Sequence, residues 1–420
     1  MASAVVVAAF GLLPSMLVIA PASGVSTDPD EVISQSPLAR PAVGRFARDP
    51  DFGTRIKRLS GSGSRGRFET PIYSQLQAFS TDRAFVLLAG SDGYLVRTRR
   101  GGRKLPLTTA SWNAPRWDPS KRHAVLHFDS NEDSTVRAQR TNVRTARTRT
   151  LFTFPAKYRT VLNNQSFDEV SRSGRWMSGM VTRADGQSTI FVLNLVKRRL
   201  TVRTTVHSLY QGPCAPDPDW GEVEPDWVGV SPLGRYLVIQ WQRDGTERCS
   251  GLETFKLKGG SFVGRVYDGH QHGDLGVTRS GKREFFMTFE LYHPSGQMSL
   301  GVRKLPGRST VSPPRYLTLI PWGNGGHISC QGPNGRCLVS AGGDESDGWG
   351  PFEQELFIQR LNGAVRRVAH HRSSSCGYFA QPRATWSRNG RLAIFASDWG
   401  TGSGDCDGSE RSDPYLLRLR

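Results

Sequence analysis

The sequence lacks several common short motifs that identify catalytic and cofactor sites. It has no G-x-S-x-G nucleophile elbow, no H-E-x-x-H metal motif and no P-loop. It has no Cys-x-x-Cys, which excludes a zinc ribbon and a thioredoxin-like redox motif. Residues 61–66 match G-x-G-x-x-G, but no helical pattern follows them, so the phosphate-binding mechanism is missing. The sequence therefore assigns no catalytic residue.

Long apolar runs are also missing after residue 22. The run over residues 2–22 carries no charge and ends in Ala-Pro-Ala, a small-residue pattern suited to signal-peptide cleavage before Ser23. Pro14 interrupts this run, which argues against a stable membrane helix, a retained anchor being the alternative. We therefore expect export to a secreted or periplasmic location and no transmembrane span in the mature chain.

Three segments follow from these observations. Residues 1–22 are predicted to be a signal peptide. Residues 23–44 are rich in Pro, Ser and Asp, and they are predicted to be a flexible linker. Residues 45–420 are predicted to form one folded domain.

Acidic residues are outnumbered, 37 against 55 Lys and Arg, which gives a formal net charge of +18. Such a balance favours polyanionic partners through long-range attraction, but it can also be a solvated basic face. No motif indicates specific binding of nucleic acid.

A repeat occupies the rest of the chain. Each copy has an apolar residue, a turn of Ser, Thr, Asp or Gly with a basic residue, and an apolar strand. Seven copies lie 38 to 60 residues apart, and no stretch between them has helical periodicity. This spacing, with four strands (A to D) per copy, is typical of a propeller. The copies occupy residues 79–83, 117–121, 170–175, 230–235, 277–282, 331–336 and 386–391.

The repeat predicts an all-β chain that forms a seven-bladed β-propeller of four-stranded antiparallel blades. The last copy ends with residues 415–420, which supply strand C and leave no room for strand D. Residues 52–59 alternate like a strand, so we expect them to supply the missing outer strand and to close the ring.

Residues 386–395, Trp-Ser-Arg-Asn-Gly-Arg-Leu-Ala-Ile-Phe, resemble the repeat of TolB-type (WD-like) β-propellers. The resemblance covers most of residues 45–420 and implies a fold that serves both binding platforms and enzymes. A more distant similarity is to secreted oligogalacturonate lyases, which are seven-bladed and hold a metal with His and Gln ligands in the central channel.

The fold also suggests how the six cysteines pair. The loop entering strand A and the B–C loop share one face, which we call the top face. Cys214 and Cys249 hold these two places in blade four, and Cys376 and Cys406 hold them in blade seven. Cys330 and Cys337 flank the A–B turn of blade six. We predict these three disulfide bonds, free buried thiols being the alternative.

Polar residues recur where strand A enters from the top face, near the central axis. Such a ring could bind a polar ligand or a cation, or it could be the solvated mouth of a channel. It contains Gln75, Asn113, Gln165, Asp226, His272, His327 and Gln381. Within and beside it, His270, His272 and His327 are candidate ligands for one divalent cation (Ca²⁺, Mn²⁺ or Zn²⁺), although the sequence requires no cofactor.

Charge is predicted to divide between the two faces. The B–C loops of the top face carry acidic residues, whereas Arg and Lys concentrate on the C and D strands and their hairpins, at the rim and the bottom. We favour a non-enzymatic platform that binds a protein or glycan through the top face. The alternative is a metal-dependent lyase or hydrolase acting on an acidic polysaccharide.

Overall fold

A computed structural model describes most of the chain. The described residues are 26–61, 67–130, 135–162, 170–209, 214–215, 223–311, 313–343, 348–374, 376–400 and 411–419. The predicted signal peptide and the ring residue Gln165 lie outside these ranges, as does Cys406 with the predicted Cys376–Cys406 bond.

The described chain folds into seven antiparallel sheets arranged as the blades of a β-propeller. Blades one to three contain β3 (Glu69–Pro71), β4 (Phe85–Gly90), β5 (Gly93–Thr98); β6 (Asn113–Trp117), β7 (Ala124–Ser130), β8 (Val136–Asn142), β9 (Thr148–Thr153); and β10 (Tyr158–Val161), β11 (Trp176–Arg183), β12 (Ser188–Asn194), β13 (Arg199–Thr205). A short 3-10 helix, Val206–Leu209, follows β13.

Blades four to six have the predicted four strands each. They contain β14 (Pro225–Val230), β15 (Tyr236–Trp241), β16 (Leu252–Lys256), β17 (Phe262–Tyr267); β18 (Gly273–Val277), β19 (Glu284–Glu290), β20 (Met298–Leu305), β21 (Arg315–Ile320); and β22 (Gly326–Ser329), β23 (Arg336–Ala341), β24 (Glu355–Arg360), β25 (Val365–His370).

Blade seven confirms the predicted closure of the ring. It contains β26 (Thr385–Trp386), β27 (Leu392–Ser397), β28 (Asp413–Arg418), β2 (Arg55–Arg58) and β1 (Phe46–Arg48). Strand β2 pairs with β28, with Ile56 opposite Leu417, and β1 adds a fifth strand outside β2 that the sequence did not reveal. The two ends of the described chain are thus joined in one sheet.

The A–B turns form by the local chemistry that the repeat predicts. In blades one, three, four and seven, the turn Ser accepts a hydrogen bond from the backbone N–H five residues later, at 3.0–3.1 Å. Glycine takes the left-handed conformation that closes the turn, with φ of 68° at Gly174 and 69° at Gly390. The repeat is therefore a turn signature as well as a strand signature.

Hydrophobic clusters lie between neighbouring blades. One joins Met180 and Val192 of blade three to Val228 and Ile239 of blade four. Another joins Ile358 of blade six to Trp386, Phe395, Tyr415 and Leu417 of blade seven. Each blade therefore buries its two faces against its neighbours, which is why the ring forms a single core.

Blade one departs from the regular pattern in a way that matters for the site. Its inner strand is interrupted between β3 and an isolated bridge that joins Phe79 to Val86. The intervening residues bond to blades other than the two neighbours of blade one: Gln75 Nε2 donates to Gly273 O of blade five at 2.8 Å, and Gln77 Nε2 donates to Gln331 O of blade six at 3.3 Å. This segment, residues 72–77, therefore lies across the central channel, and we call it the channel segment.

The predicted linker makes many contacts from Ser26 onwards, although residues 26–45 contain no regular strand. Arg367 N donates to Ser26 O at 3.1 Å, and Arg372 Nη1 donates to Ser36 O at 2.8 Å. Trp399 Nε1 donates to Leu38 O at 2.9 Å. The segment therefore lies against blades six and seven.

Two of the predicted disulfide bonds are present, Cys214–Cys249 and Cys330–Cys337. The first joins the loop before blade four to that blade's B–C loop. The second brackets the A–B turn of blade six. Among the described residues, no helix is long and apolar enough to cross a membrane.

Candidate functional site: a divided central cavity

A cavity of about 950 Å³ lies on the top face at the centre of the ring. Blades one, two, four and five and the loop before blade seven line it, because their inner strands converge there. Its apolar wall is aromatic and contains Phe68, Tyr73, Tyr94, Trp227, Tyr378 and Phe379. Its polar groups are Gln75, Asp226, Gln240, His270, Gln271, His272 and Arg383.

A second cavity of about 500 Å³ adjoins the first one. Gln271 and His272 line both, so they form the partition between them. The second cavity is lined further by His327, Ser340 and Gln381, and by several glycines that leave room beside the inner strands. The site is thus divided into two compartments.

Five of the seven residues in the predicted polar ring line one of these cavities. They are Gln75, Asp226, His272, His327 and Gln381. Asn113 is half-buried at the start of β6, beside the cavity residues Ala114 and Pro115. Gln75 differs from the other ring residues in position, because it is buried within the channel segment.

The partition is built around two stacked histidines. The rings of His272 and His327 are 4.7 Å apart with an angle of 24° between their planes. His272 is exposed, and its Nδ1 lies 2.9 Å from Gly326 O. His327 is only 4% exposed, and its Nε2 has no hydrogen-bond partner in the described part of the chain. Burial, with the nearby His272 and Arg383, lowers the pKa of His327 well below its usual value, so this imidazole is neutral.

A third histidine, His270, lies beside a carboxylate. His270 Nε2 lies 3.5 Å from Asp226 Oδ2, and both side chains are more than a third exposed. The hydrogen bond with Asp226 raises the pKa of His270 despite partial burial. The two cavities therefore hold imidazoles whose pKa values are shifted in opposite directions, His270 upward in the first and His327 downward in the second.

Arg383 provides a fixed positive charge in the cavity wall. Its side chain is buried, its Nη2 donates to Tyr378 O at 2.6 Å, and its guanidinium lies 3.4 Å from the centre of the Tyr378 ring. Its backbone φ of 40° is unusual for a residue other than glycine. Stacking of this planar cation on an aromatic ring fixes the position of both groups.

The three candidate histidine ligands do not converge as a metal centre does. Among the described His, Cys, Asp and Glu residues, the group whose ligand atoms lie within 4.8 Å of one another is Asp49, Asp51 and His370, at the outer edge between blades six and seven. Whether His270, His272 and His327 bind a metal stays a prediction. The two that do meet, His272 and His327, are the pair between the cavities.

Asp49, Asp51 and His370 are already engaged in hydrogen bonds. Asp49 Oδ1 accepts from the N–H groups of Asp51 and Phe52, each at 3.0 Å. His370 Nδ1 lies 3.0 Å from Asp51 Oδ2, and its Nε2 lies 3.1 Å from Ile33 O. The guanidinium of Arg372 lies 3.5 Å from Asp49 Oδ2. A cation there would compete with these bonds and with a fixed positive charge, so we interpret the group as a structural network.

Sequence reasoning missed Tyr73, Tyr378, Phe379 and Arg383. Tyr73 is drawn in by the channel segment, and Tyr378, Phe379 and Arg383 come from the long loop before β26. Neither segment belongs to the repeat. The positive φ of Arg383 is a tertiary feature that no pattern signals.

The fold and the cavity define a seven-bladed β-propeller with a ligand-sized central site on one face. No protein-family model and no curated protein matches the chain. Solved structures do match. An oligogalacturonate lyase in complex with manganese superposes with a TM-score of 0.60 at 11% identity, covering 95% of this chain and 99% of that one.

Two further structures are similar to the chain. The oligogalacturonate lyase of Vibrio parahaemolyticus gives a TM-score of 0.58 at 10% identity, covering 90% of this chain and 96% of that one. TolB from Acinetobacter baumannii gives a TM-score of 0.36 at 14% identity, covering 73% and 64%. At such identities the two lyase structures establish the propeller fold and its extent, and they leave the activity open.

Proposed function

We propose that this protein is an exported binding platform that holds a glycan in the central cavity of its top face. The observation that carries the proposal is the composition of that cavity: an aromatic wall, several amide and imidazole groups, and one fixed guanidinium, within about 950 Å³. Concave sites of this size, mostly apolar with a few placed polar groups, are typical of ligand sites in proteins. Sugar rings have apolar faces and polar edges, which match this combination.

A glycan fits the cavity better than a protein partner does. A protein interface is broad and needs a substantial contact surface, whereas these groups converge in a concave site. Two further aromatic rings are exposed on the top face outside the cavity: Tyr292 is 89% and Trp322 is 56% exposed, and Trp322 Nε1 donates to Gly296 O at 2.9 Å.

Export is part of the proposal. The two disulfide bonds are typical of proteins from oxidising compartments, and residues 1–22 have the pattern of a signal peptide. Expression with and without residues 1–22, followed by mass analysis of the exported protein, tests this part. An N-terminus at Ser23 in the exported protein is expected.

Binding is tested by calorimetry with neutral and acidic oligosaccharides. Replacement of Tyr378 by Ala is expected to weaken the best ligand at least tenfold, which corresponds to about 1.4 kcal/mol. Tyr292→Ala, on the same face but outside the cavity, is the matched control and is expected to weaken binding less than threefold. Equal effects of both substitutions, or no saccharide binding, would contradict the proposal.

A metal-dependent lyase or hydrolase acting on an acidic polysaccharide is the second candidate. The stacked pair His272 and His327 favours it, because His327 is neutral, buried and has an Nε2 without a partner among the described residues. These two imidazoles, with Gln381 in the same cavity, would hold a divalent cation. When bound, such a cation would hold a substrate carboxylate and make the adjacent C–H more acidic.

Elemental analysis separates the two candidates. The lyase hypothesis predicts about one equivalent of Mn, Zn or Ca in the purified protein and its loss in His272→Ala with His327→Ala. Incubation with an acidic polysaccharide should then produce an unsaturated product that absorbs in the ultraviolet. Saccharide binding with neither metal nor product would leave the platform as the function.

A further inference from the structure

The end of the ring opposite the cavity is densely basic. It is formed by the A–B turns and the C–D hairpins, since both lie at the bottom of every blade, and we call it the basic face. Exposed cations occur in these segments all around the ring. Those of blades two to five include Lys121, Arg144, Arg147, Lys197, Lys258 and Lys282.

Acidic residues are nearly missing from the same segments. The A–B turns contain Asp82 and Asp118, and the C–D hairpins of blades one to six contain none. Both turn acids are already engaged: Asp82 Oδ2 lies 2.5 Å from His123 Nε2, and the buried Asp118 lies 2.7 Å from Arg140 Nε. The positive charge of the basic face is therefore not neutralised locally.

The cations of this face are close enough to repel one another. Partial burial and the neighbouring Arg360 and Arg279 lower the pKa of Arg336. Burial and the neighbouring Arg418 and Arg99 lower the pKa of Lys57. Mutual repulsion of this kind is relieved when an external anion binds.

The loops of the top face contain more acidic residues than the turns of the basic face. Exposed acids lie in its B–C loops, for example Asp92, Asp185 and Asp244. Along the ring axis, the basic face is therefore the more positive end of the molecule and the top face the less positive one. A charged surface would orient the molecule along this axis.

Three features indicate the shape of the anionic partner. The cations surround the ring rather than follow one groove, so a flat partner engages more of them than a linear polymer would. Among the described residues of this face, the large apolar side chain that is exposed is Val196, at 70%, in the hairpin of blade three. Insertion of apolar side chains into the partner is therefore not the main contribution to binding. A cavity of about 1010 Å³ lined by Arg283, Lys304, Arg308 and Arg315 could also receive an anionic headgroup.

We infer that the basic face docks onto an anionic lipid surface and that the glycan cavity then faces away from it. The attraction is between exposed Arg and Lys side chains and lipid phosphates, each cation near the surface strengthening binding by up to about fivefold. The acidic loops of the opposite face disfavour the inverted orientation. The inference does not depend on which ligand the cavity holds.

Sedimentation with vesicles tests this inference on the full mature chain. Vesicles of phosphatidylglycerol and phosphatidylcholine are compared with pure phosphatidylcholine at about 0.1 M salt, where the Debye length is about 10 Å. Binding to the anionic vesicles alone is expected, with at least a tenfold loss at 0.5 M salt. No binding to the anionic vesicles would overturn the inference.

A pair of variants with the same net charge locates the contact. Arg144→Glu, Arg147→Glu and Lys197→Glu change the basic face, whereas Arg67→Glu, Lys157→Glu and Arg159→Glu change the same number of exposed cations on the top face. The first variant should weaken vesicle binding at least tenfold and the second less than threefold. Circular dichroism checks folding, and Gln in place of Glu gives a milder version of each variant.

Two other outcomes would also overturn the inference. Equal weakening by both variants would mean that net charge alone drives adsorption. Binding to a soluble polyanion such as dextran sulfate, without binding to vesicles, would mean that the basic face holds a polymer rather than a lipid surface.

Discussion

At the scale of single residues, environment separates histidines that the sequence cannot tell apart. His270 and His327 both lie where inner strands begin, yet one pairs with a half-exposed carboxylate and the other is fully enclosed. The pKa of the first is raised and that of the second is lowered. The charge of the first cavity therefore changes with pH through His270, whereas His327, in the second cavity, stays neutral.

We expect His270 to titrate by NMR with a midpoint above its ordinary value of about 6.5. In Asp226→Asn the midpoint should fall, because the hydrogen-bonded carboxylate is lost. The pair's contribution to stability is present below about pH 6.5 and is lost as the pH rises through the raised pKa of His270. Asp244→Asn, a more distant carboxylate, is the control and should shift the midpoint less.

At the scale of elements, the segment before β1 contacts blade six through the outer strand β25. Arg367 on β25 forms a fully buried ion pair with Glu355 on β24, with Nε 2.7 Å from Oε2, and its Nη1 also donates to Glu31 O. The desolvated pair is stable only while both partners are present, since either charge alone would be uncompensated.

Arg367→Ala is expected to lower the free energy of unfolding by about 3–5 kcal/mol. The pair Arg367→Met with Glu355→Leu should recover much of this loss, because it removes both buried charges. Denaturant unfolding of the three variants measures the difference. A double variant no more stable than Arg367→Ala would show that the loss comes from bonds of Arg367 that both variants lack, such as the one to Glu31, and not from an uncompensated buried charge.

At the scale of the whole molecule, the ring is closed by a strand from far away in the chain. Strand β2 covers the edge of β28, and Leu59 N adds a hydrogen bond to Pro414 O at 2.9 Å. Without β2, the edge of β28 would expose a row of unpaired backbone N–H and C=O groups beside the hydrophobic core of blade seven.

Two truncations test the closure. A chain beginning at residue 60 lacks β1 and β2 and is expected to aggregate or fail to fold, as seen by size-exclusion chromatography. A chain beginning at residue 41 keeps both strands and loses only the preceding contacts, so it should stay monomeric with a lowered Tm. A monomer of unchanged Tm from the shorter chain would contradict the role of β2.

Much of the fold was predictable because its signals are local. The turn Ser and Gly, as in Ser387 and Gly390, act within five residues of each other. In the strand that follows, apolar residues either alternate with polar ones or form a continuous run, depending on whether one or both faces of the strand are buried. Closure by residues 52–59 was predictable by counting strands. The disulfides Cys214–Cys249 and Cys330–Cys337 followed once the blades were placed.

The site was predictable only in part. Ring positions such as His272, His327 and Gln381 were found because they sit at a fixed offset from each turn. Tyr73, Tyr378 and Arg383 lie in irregular segments whose path is set by contacts with distant blades. The hydrogen bonds of Gln75 to Gly273 O in blade five and of Gln77 to Gln331 O in blade six illustrate why such a path has no pattern in the sequence.

The sequence by itself determined the seven blades, the closing strand and two disulfide bonds. Each of these depends on residue type at short or countable spacing. Only the tertiary structure decided which polar residues share a cavity, which histidine is enclosed, and where Arg383 points. Those properties depend on the packing of segments hundreds of residues apart, and burial there sets both the charge and the position of each group.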